Sequence, residues 1–78
     1  MTVDPKTAAL LAEALGMAPA EITNETGLET TEGWDSLAHF RVVLAVEEAI
    51  GRSLSTTEIF ETVGYESVNA LLQPNSEA

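Results

Sequence analysis

The stretch Glu32-Gly33-Trp34-Asp35-Ser36-Leu37-Ala38-His39-Phe40-Arg41-Val42-Val43-Leu44-Ala45-Val46-Glu47-Glu48-Ala49-Ile50-Gly51 decides how this chain is read. A loop runs into Asp-Ser, and a helix follows. Asp35 or Ser36 supplies the cap, the helix covers about residues 37–50, and Gly51 stops it. Successive residues of a helix lie about 100° apart, which divides this one into two sides. One side carries Val42, Val43, Val46, Ala49 and Ile50, with His39 among them, and is the expected core side. The other carries Ser36, Leu37, Phe40, Arg41, Leu44, Glu47 and Glu48, so three large apolar residues edged by charge lie in line with a serine. Either a neighbouring helix covers that strip, or the strip is an exposed docking surface.

Working outward, Asp4-Pro5 reads as a helix start, with Asp4 as cap and Pro5 at the first helical position, where its missing N–H costs nothing. Leu10, Leu11, Ala14 and Leu15 recur at helical spacing, Lys6 and Glu13 take the wet side, and Gly16 stops the helix. Residues 17–35 form a long connection, unusual in so short a chain, with Ile22 and Leu28 as apolar plugs and a helical turn near residues 20–23. Ser55-Thr56-Thr57-Glu58 has the spacing of a capping box and opens a short helix through Ile59, Phe60 and Glu61. Gly64 breaks that helix. Val68, Leu71 and Leu72 are the inward positions of a last one. Residues 1–73 are expected to form one all-α domain, a small four-helix bundle of three main helices and one short helix, with residues 74–78 as a disordered tail.

Composition narrows the function. Thirteen acidic residues against three basic ones give a formal net charge of −10. Nucleic acids and anionic membranes need a basic footprint, so neither is an expected partner. Basic protein surfaces are, met quickly through electrostatic steering. With no cysteine and one histidine, neither disulfides nor a Cys/His zinc site is available. A domain of this size buries only about 60% of its unfolded surface, and charge repulsion makes it marginally stable at low salt. No basic, apolar leader and no membrane-length apolar run is present, so a cytoplasmic monomer is expected.

The chemistry-bearing residues are few. Asp35, Ser36 and His39 have the residue types of a hydrolytic triad, but all lie within one helical turn, and the helical bearing places His39 on the core side. No Gly-x-Ser-x-Gly elbow is present, so no catalytic residue is assigned. Glu47 and Glu48 diverge by about 100° and build no metal cage, so no metal site is assigned either. Ser36 suits one further task. A phosphodiester on its oxygen would be favoured by the unpaired N–H groups and the dipole of the helix N-terminus. The alternative is an acidic helical adaptor in which Ser36 is only a helix cap.

Gly33-Trp34-Asp35-Ser36-Leu37-Ala38-His39, followed by residues 42–48 and Gly51, resembles the acyl carrier protein family, most of all stand-alone bacterial members with a Trp-Asp-Ser-Leu-x-His motif. The resemblance implies a covalent 4′-phosphopantetheine on Ser36, with Asp35 as the adjacent motif residue, installed from coenzyme A by a phosphopantetheinyl transferase. It implies an acyl or aminoacyl thioester on that arm, handed between loading and transferring enzymes with basic docking surfaces. Those enzymes would meet Leu37, Phe40, Arg41, Leu44, Glu47 and Glu48. Three residues depart from the pattern usual in fatty-acid synthesis. Ala38 and Arg41 replace acidic residues, and Glu32 replaces an apolar loop residue whose anchoring task passes to Trp34. These departures favour a specialised lipid, polyketide, peptide or sugar-modifying pathway.

Overall fold

A computed structural model of the chain describes residues 3–73. Helix α1 (Pro5–Leu15) starts where the Asp4 carboxylate accepts the Lys6 N–H at 2.9 Å, and ends at Gly16 in the left-handed conformation, φ 72°. Such a φ costs glycine nothing and other residues about 1 kcal/mol or more. Pro19–Glu21 make one 3-10 turn, which starts one residue and ends two residues earlier than the sequence suggests. Helix α2 (Ser36–Ile50) is the longest element and ends at Gly51, again left-handed. Helix α3 (Thr56–Glu61) opens with the capping box: Ser55 Oγ accepts the Glu58 N–H, and the Glu58 carboxylate accepts the Ser55 N–H. Helix α4 (Tyr65–Leu72) closes the described chain. Among the described residues there is no strand, only an isolated bridge. The tail expected from residue 74 onward lies outside them.

Helices α1, α2 and α4 pack against one another pairwise, and α3 lies outside that triangle. Leu11 of α1, Val42 and Val46 of α2, and Val68 of α4 are fully buried where the three meet. Two polar links join α1 to α4: the Tyr65 hydroxyl accepts the Asp4 N–H at 2.6 Å, and Thr7 Oγ1 donates to Asn69 Oδ1 at 2.7 Å. The buried side of α2 differs from the wheel reading at two positions. Ala38 is buried and Ala49 exposed, although both lie on nearly the same bearing. Bearing places a residue around the axis but does not tell where along it the neighbouring helices end.

The long connection is ordered largely by its own threonines. Thr26 Oγ1 accepts the Thr23 N–H, Thr31 Oγ1 accepts the Gly27 N–H, and Thr30 Oγ1 donates to the Glu25 carbonyl. Ile22 is the buried plug expected of it. Leu28 is not a plug and stays 42% exposed. It sits on the edge of the antiparallel bridge between Gly27 and Gly64, where its N–H donates to the Val63 carbonyl at 2.8 Å. This bridge clips the loop to the α3–α4 junction. The other anchor is Trp34, 2% exposed, as expected of it.

Candidate functional site

The start of α2 settles which residue caps it. Asp35 is extended (φ −95°, ψ −170°), its Oδ1 accepts the Ala38 N–H at 2.9 Å, and its carbonyl accepts the His39 N–H at 2.8 Å. Ser36 is therefore the first helical residue and not the cap, which corrects the reading of Ser36 as a helix cap. Among the described residues its hydroxyl has no hydrogen-bond partner, and the Ser36 and Leu37 N–H groups have none either. The serine is exposed, at the positive end of the α2 dipole.

Beside it lies an open groove of about 530 Å³, lined by Leu28, Asp35, Ser36, His39, Phe60 and Val63. Three elements meet there: the long loop, the first turn of α2, and α3 with the segment after it. His39 is thus not turned away from Ser36 as its bearing suggests; it is half-buried and forms part of the groove wall. Both its ring nitrogens are nonetheless engaged. Nδ1 faces the Trp34 indole N–H at 3.0 Å, and Nε2 faces the Ile59 carbonyl at 3.2 Å. One oxygen of the Asp35 carboxylate, Oδ1, is held by the helix end. No nitrogen is left to take a proton from Ser36, so the three residues share a groove without forming a relay.

From Ser36 the outer side of α2 continues as a strip. Leu37, Phe40 and Leu44 are 59%, 58% and 48% exposed, so α3 does not cover them. Arg41 and Glu48 are exposed beside Leu44, and with Leu10 and Glu13 they line a second groove between α1 and α2. Among the described residues Arg41 is in no ion pair. Glu47 departs from the strip: it is half-buried, and its Oε2 accepts the Leu54 N–H at 2.8 Å, which ties the end of α2 to the link with α3. Ala38, being buried, is no part of the strip.

Two residues on this surface escape a reading of α2 alone. Phe60 is 75% exposed and Val63 46% exposed, both on the far wall of the groove. One signal for Phe60 was present. Ile59 turns inward, and the next residue of a helix points about 100° away.

The residues present fit a prosthetic group attached through phosphate. The helix start offers an uncommitted hydroxyl, two uncommitted N–H donors and a favourable dipole, and an apolar-walled groove adjoins it. Comparison with curated proteins found no match. Comparison with family models found one, described as the phosphopantetheine attachment site, matching residues 6–73. The match takes in all four helices, and the bundle of three main helices and one short helix is the all-α architecture expected of acyl-carrier domains. The chain therefore belongs to the phosphopantetheine attachment site family, carrier domains of acyl-carrier type that bear a covalent 4′-phosphopantetheine.

Proposed function

We propose that Ser36 is the attachment residue, and that the chain carries acyl or aminoacyl groups to the enzymes of a specialised biosynthetic pathway. The observation that supports this most is the free hydroxyl of Ser36 at the first position of α2, left unused because Asp35 does the capping. The attached group supplies a flexible arm whose terminal thiol holds the cargo as a thioester. The chain's own residues do the rest. The Ser36 and Leu37 N–H groups face the side of the helix start where a phosphate charge would develop. Leu37, Phe40 and Leu44, rimmed by Glu48 and Arg41, form the surface that a partner enzyme meets. Glu47 contributes less than its position suggests, because one of its oxygens is held by Leu54.

Carrier domains meet phosphopantetheinyl transferases and acyl-handling enzymes in general. The net charge of −10 suits basic surfaces on such partners. Arg41 stands against the most basic of them, which supports a pathway other than housekeeping fatty-acid synthesis. Among the described residues no helix is long and apolar enough to cross a membrane. We place the protein in the cytoplasm, as a monomer.

The test is direct. Unmodified protein incubated with coenzyme A, magnesium and a broad-specificity phosphopantetheinyl transferase gains the mass of one phosphopantetheine, and Ser36→Ala gains none. Both proteins stay folded by circular dichroism. A folded wild-type chain that is never modified, or a mass gain that survives Ser36→Ala, overturns the assignment.

A further inference from the structure

The groove beside Ser36 is open to solvent on one side and shut on the other. We propose that it is a shelf, closed at its base by His39, on which the near end of the arm rests, so that the cargo stays outside the core. Such a shelf suits a short or polar acyl group, aminoacyl groups included, and not a long alkyl chain. The inference rests on the proposed attachment at Ser36 and names the class of cargo that goes with it.

His39 is the residue that joins the groove to the interior. It is half-buried, whereas the other residues lining the groove are exposed. Behind it stand Trp34 and Ile59, which do not line the groove. Trp34 belongs to the buried core, and Ile59 packs against that core. The imidazole is bonded to both: the indole N–H donates to Nδ1 at 3.0 Å, and Nε2 meets the Ile59 carbonyl at 3.2 Å. A chain entering from the Ser36 side must break these bonds and leave a buried indole N–H without a partner, which is costly. The space beyond is taken. Leu11, Val42, Val46 and Val68 are fully buried there, and a close-packed interior admits further methylenes only with strain.

The flank is fixed as well. The Leu28 N–H donates to the Val63 carbonyl at 2.8 Å, and the Gly27–Gly64 bridge lies next to it. Leu28 and Val63 are thus held together by backbone bonds, independently of His39. The loop does not part from the α3–α4 junction to admit a chain between them. Walls set before the arm arrives also leave little to be ordered on binding.

What the shelf offers is small. Leu28, Phe60 and Val63 are exposed apolar side chains in the same groove as Ser36. A phosphopantetheine carries two methyl groups on one carbon close to its phosphate, and a tether at Ser36 keeps them near the shelf at high effective concentration. Further out the arm is made of amides, which belong in water. A long alkyl chain at its far end is refused the core and keeps much of its apolar surface in water, which is unfavourable. A short or polar cargo exposes little.

The closure is tested without the arm. In unmodified protein the Trp34 indole N–H should exchange with deuterium manyfold more slowly than that of free tryptophan; exchange at the free rate overturns the closure. The seat is tested on protein loaded by the transferase from butyryl-, octanoyl- and dodecanoyl-coenzyme A, each product checked by intact mass. Loading should move the Leu28 and Val63 methyl signals and the Phe60 ring signals equally for every chain, and leave the Leu11, Val42, Val46 and Val68 methyl signals in place. Hydroxylamine should cleave every thioester at the same rate within error. Core methyl signals that move with chain length, or cleavage that slows severalfold from butyryl to dodecanoyl, place the cargo inside and overturn the proposal. Shelf signals that move with none of the chains overturn the shelf. In His39→Ala, shown to be folded by circular dichroism, dodecanoyl loading should move core methyl signals that it leaves in place in wild type; a folded variant that behaves as wild type overturns His39 as the closure. The wild-type measurements decide the question if that variant does not fold. Failure of the attachment reads differently. No gain of mass, or a gain that survives Ser36→Ala, overturns the attachment and this inference with it, whereas a gain at Ser36 with the cargo in the core overturns this inference alone.

Discussion

Gly27 and Gly64 meet backbone to backbone across an antiparallel bridge that joins the long loop to the α3–α4 junction, with hydrogen bonds from Leu28 N–H to the Val63 carbonyl (2.8 Å) and from Tyr65 N–H to the Thr26 carbonyl (2.7 Å). The approach leaves no room for side chains. A Cβ on Gly27 would lie 2.9 Å from the Val63 oxygen, and one on Gly64 would lie 3.1 Å from the Thr26 oxygen. Gly27→Ala should therefore destabilise the domain by about 1–3 kcal/mol, as overpacking commonly does. Gly64→Ala should act in the same direction and less strongly. Gly33→Ala is the control, since its nearest neighbour would be an ordinary 3.7 Å away. Urea unfolding of the three variants checks the order.

The division of labour at the start of α2 separates two neighbouring substitutions. Asp35→Ala removes the bond to the Ala38 N–H and should cost about 1 kcal/mol, the usual loss for a helix cap. Ser36→Ala removes an exposed hydroxyl with no partner and should leave the unfolding midpoint unchanged within error. Equal losses in thermal melts would assign the capping to both residues.

Helix α3 should respond to acid through Glu58. The hydrogen bond from Arg52, reinforced by the Ser55 N–H, lowers its carboxyl to about 2. A group depressed in the folded state stabilises fully above its unfolded value, near 4.5, and loses that contribution as pH falls toward 2. Glu58→Gln should melt below wild type at pH 7, and the two melting curves should converge as pH falls through that window. A gap that stays constant from pH 7 to pH 2 would show that the charge contributes nothing.

Arg41 offers a handle on partner choice. It is exposed, lines a groove with Leu44 and Glu48, and is unpaired among the described residues. If it filters partners as proposed, Arg41→Glu should raise kcat/KM with a fatty-acid-synthesis enzyme severalfold at low salt, and the gain should shrink as salt screens it. Unchanged kinetics would remove Arg41 from the docking surface.

What was legible in the chain was local chemistry. Asp4, Gly16, Gly51 and the Ser55–Glu58 box each act within one helical turn, and each sits where its signal places it. The burial of Trp34 follows from a large apolar ring in an otherwise polar loop. What was not legible depends on segments far apart in sequence. Nothing near Gly27 names Gly64 as its partner, so Leu28 read as a plug when it lines a groove. Nothing within α2 says that His39 will bridge Trp34 and Ile59, or that the Glu47 carboxylate will turn to Leu54. Tyr65 carries no local signal either: its burial, and the reach of its hydroxyl back to Asp4, depend on how α4 packs against α1.

The capping of α2 by Asp35 has one more consequence. Nothing that supports the helix passes through the oxygen of Ser36. With attachment there, as proposed, esterifying that oxygen or freeing it again would leave every hydrogen bond at the helix end in place. The blank and the loaded chain would share one shape, so an enzyme could read the burden without the protein having to refold to announce it.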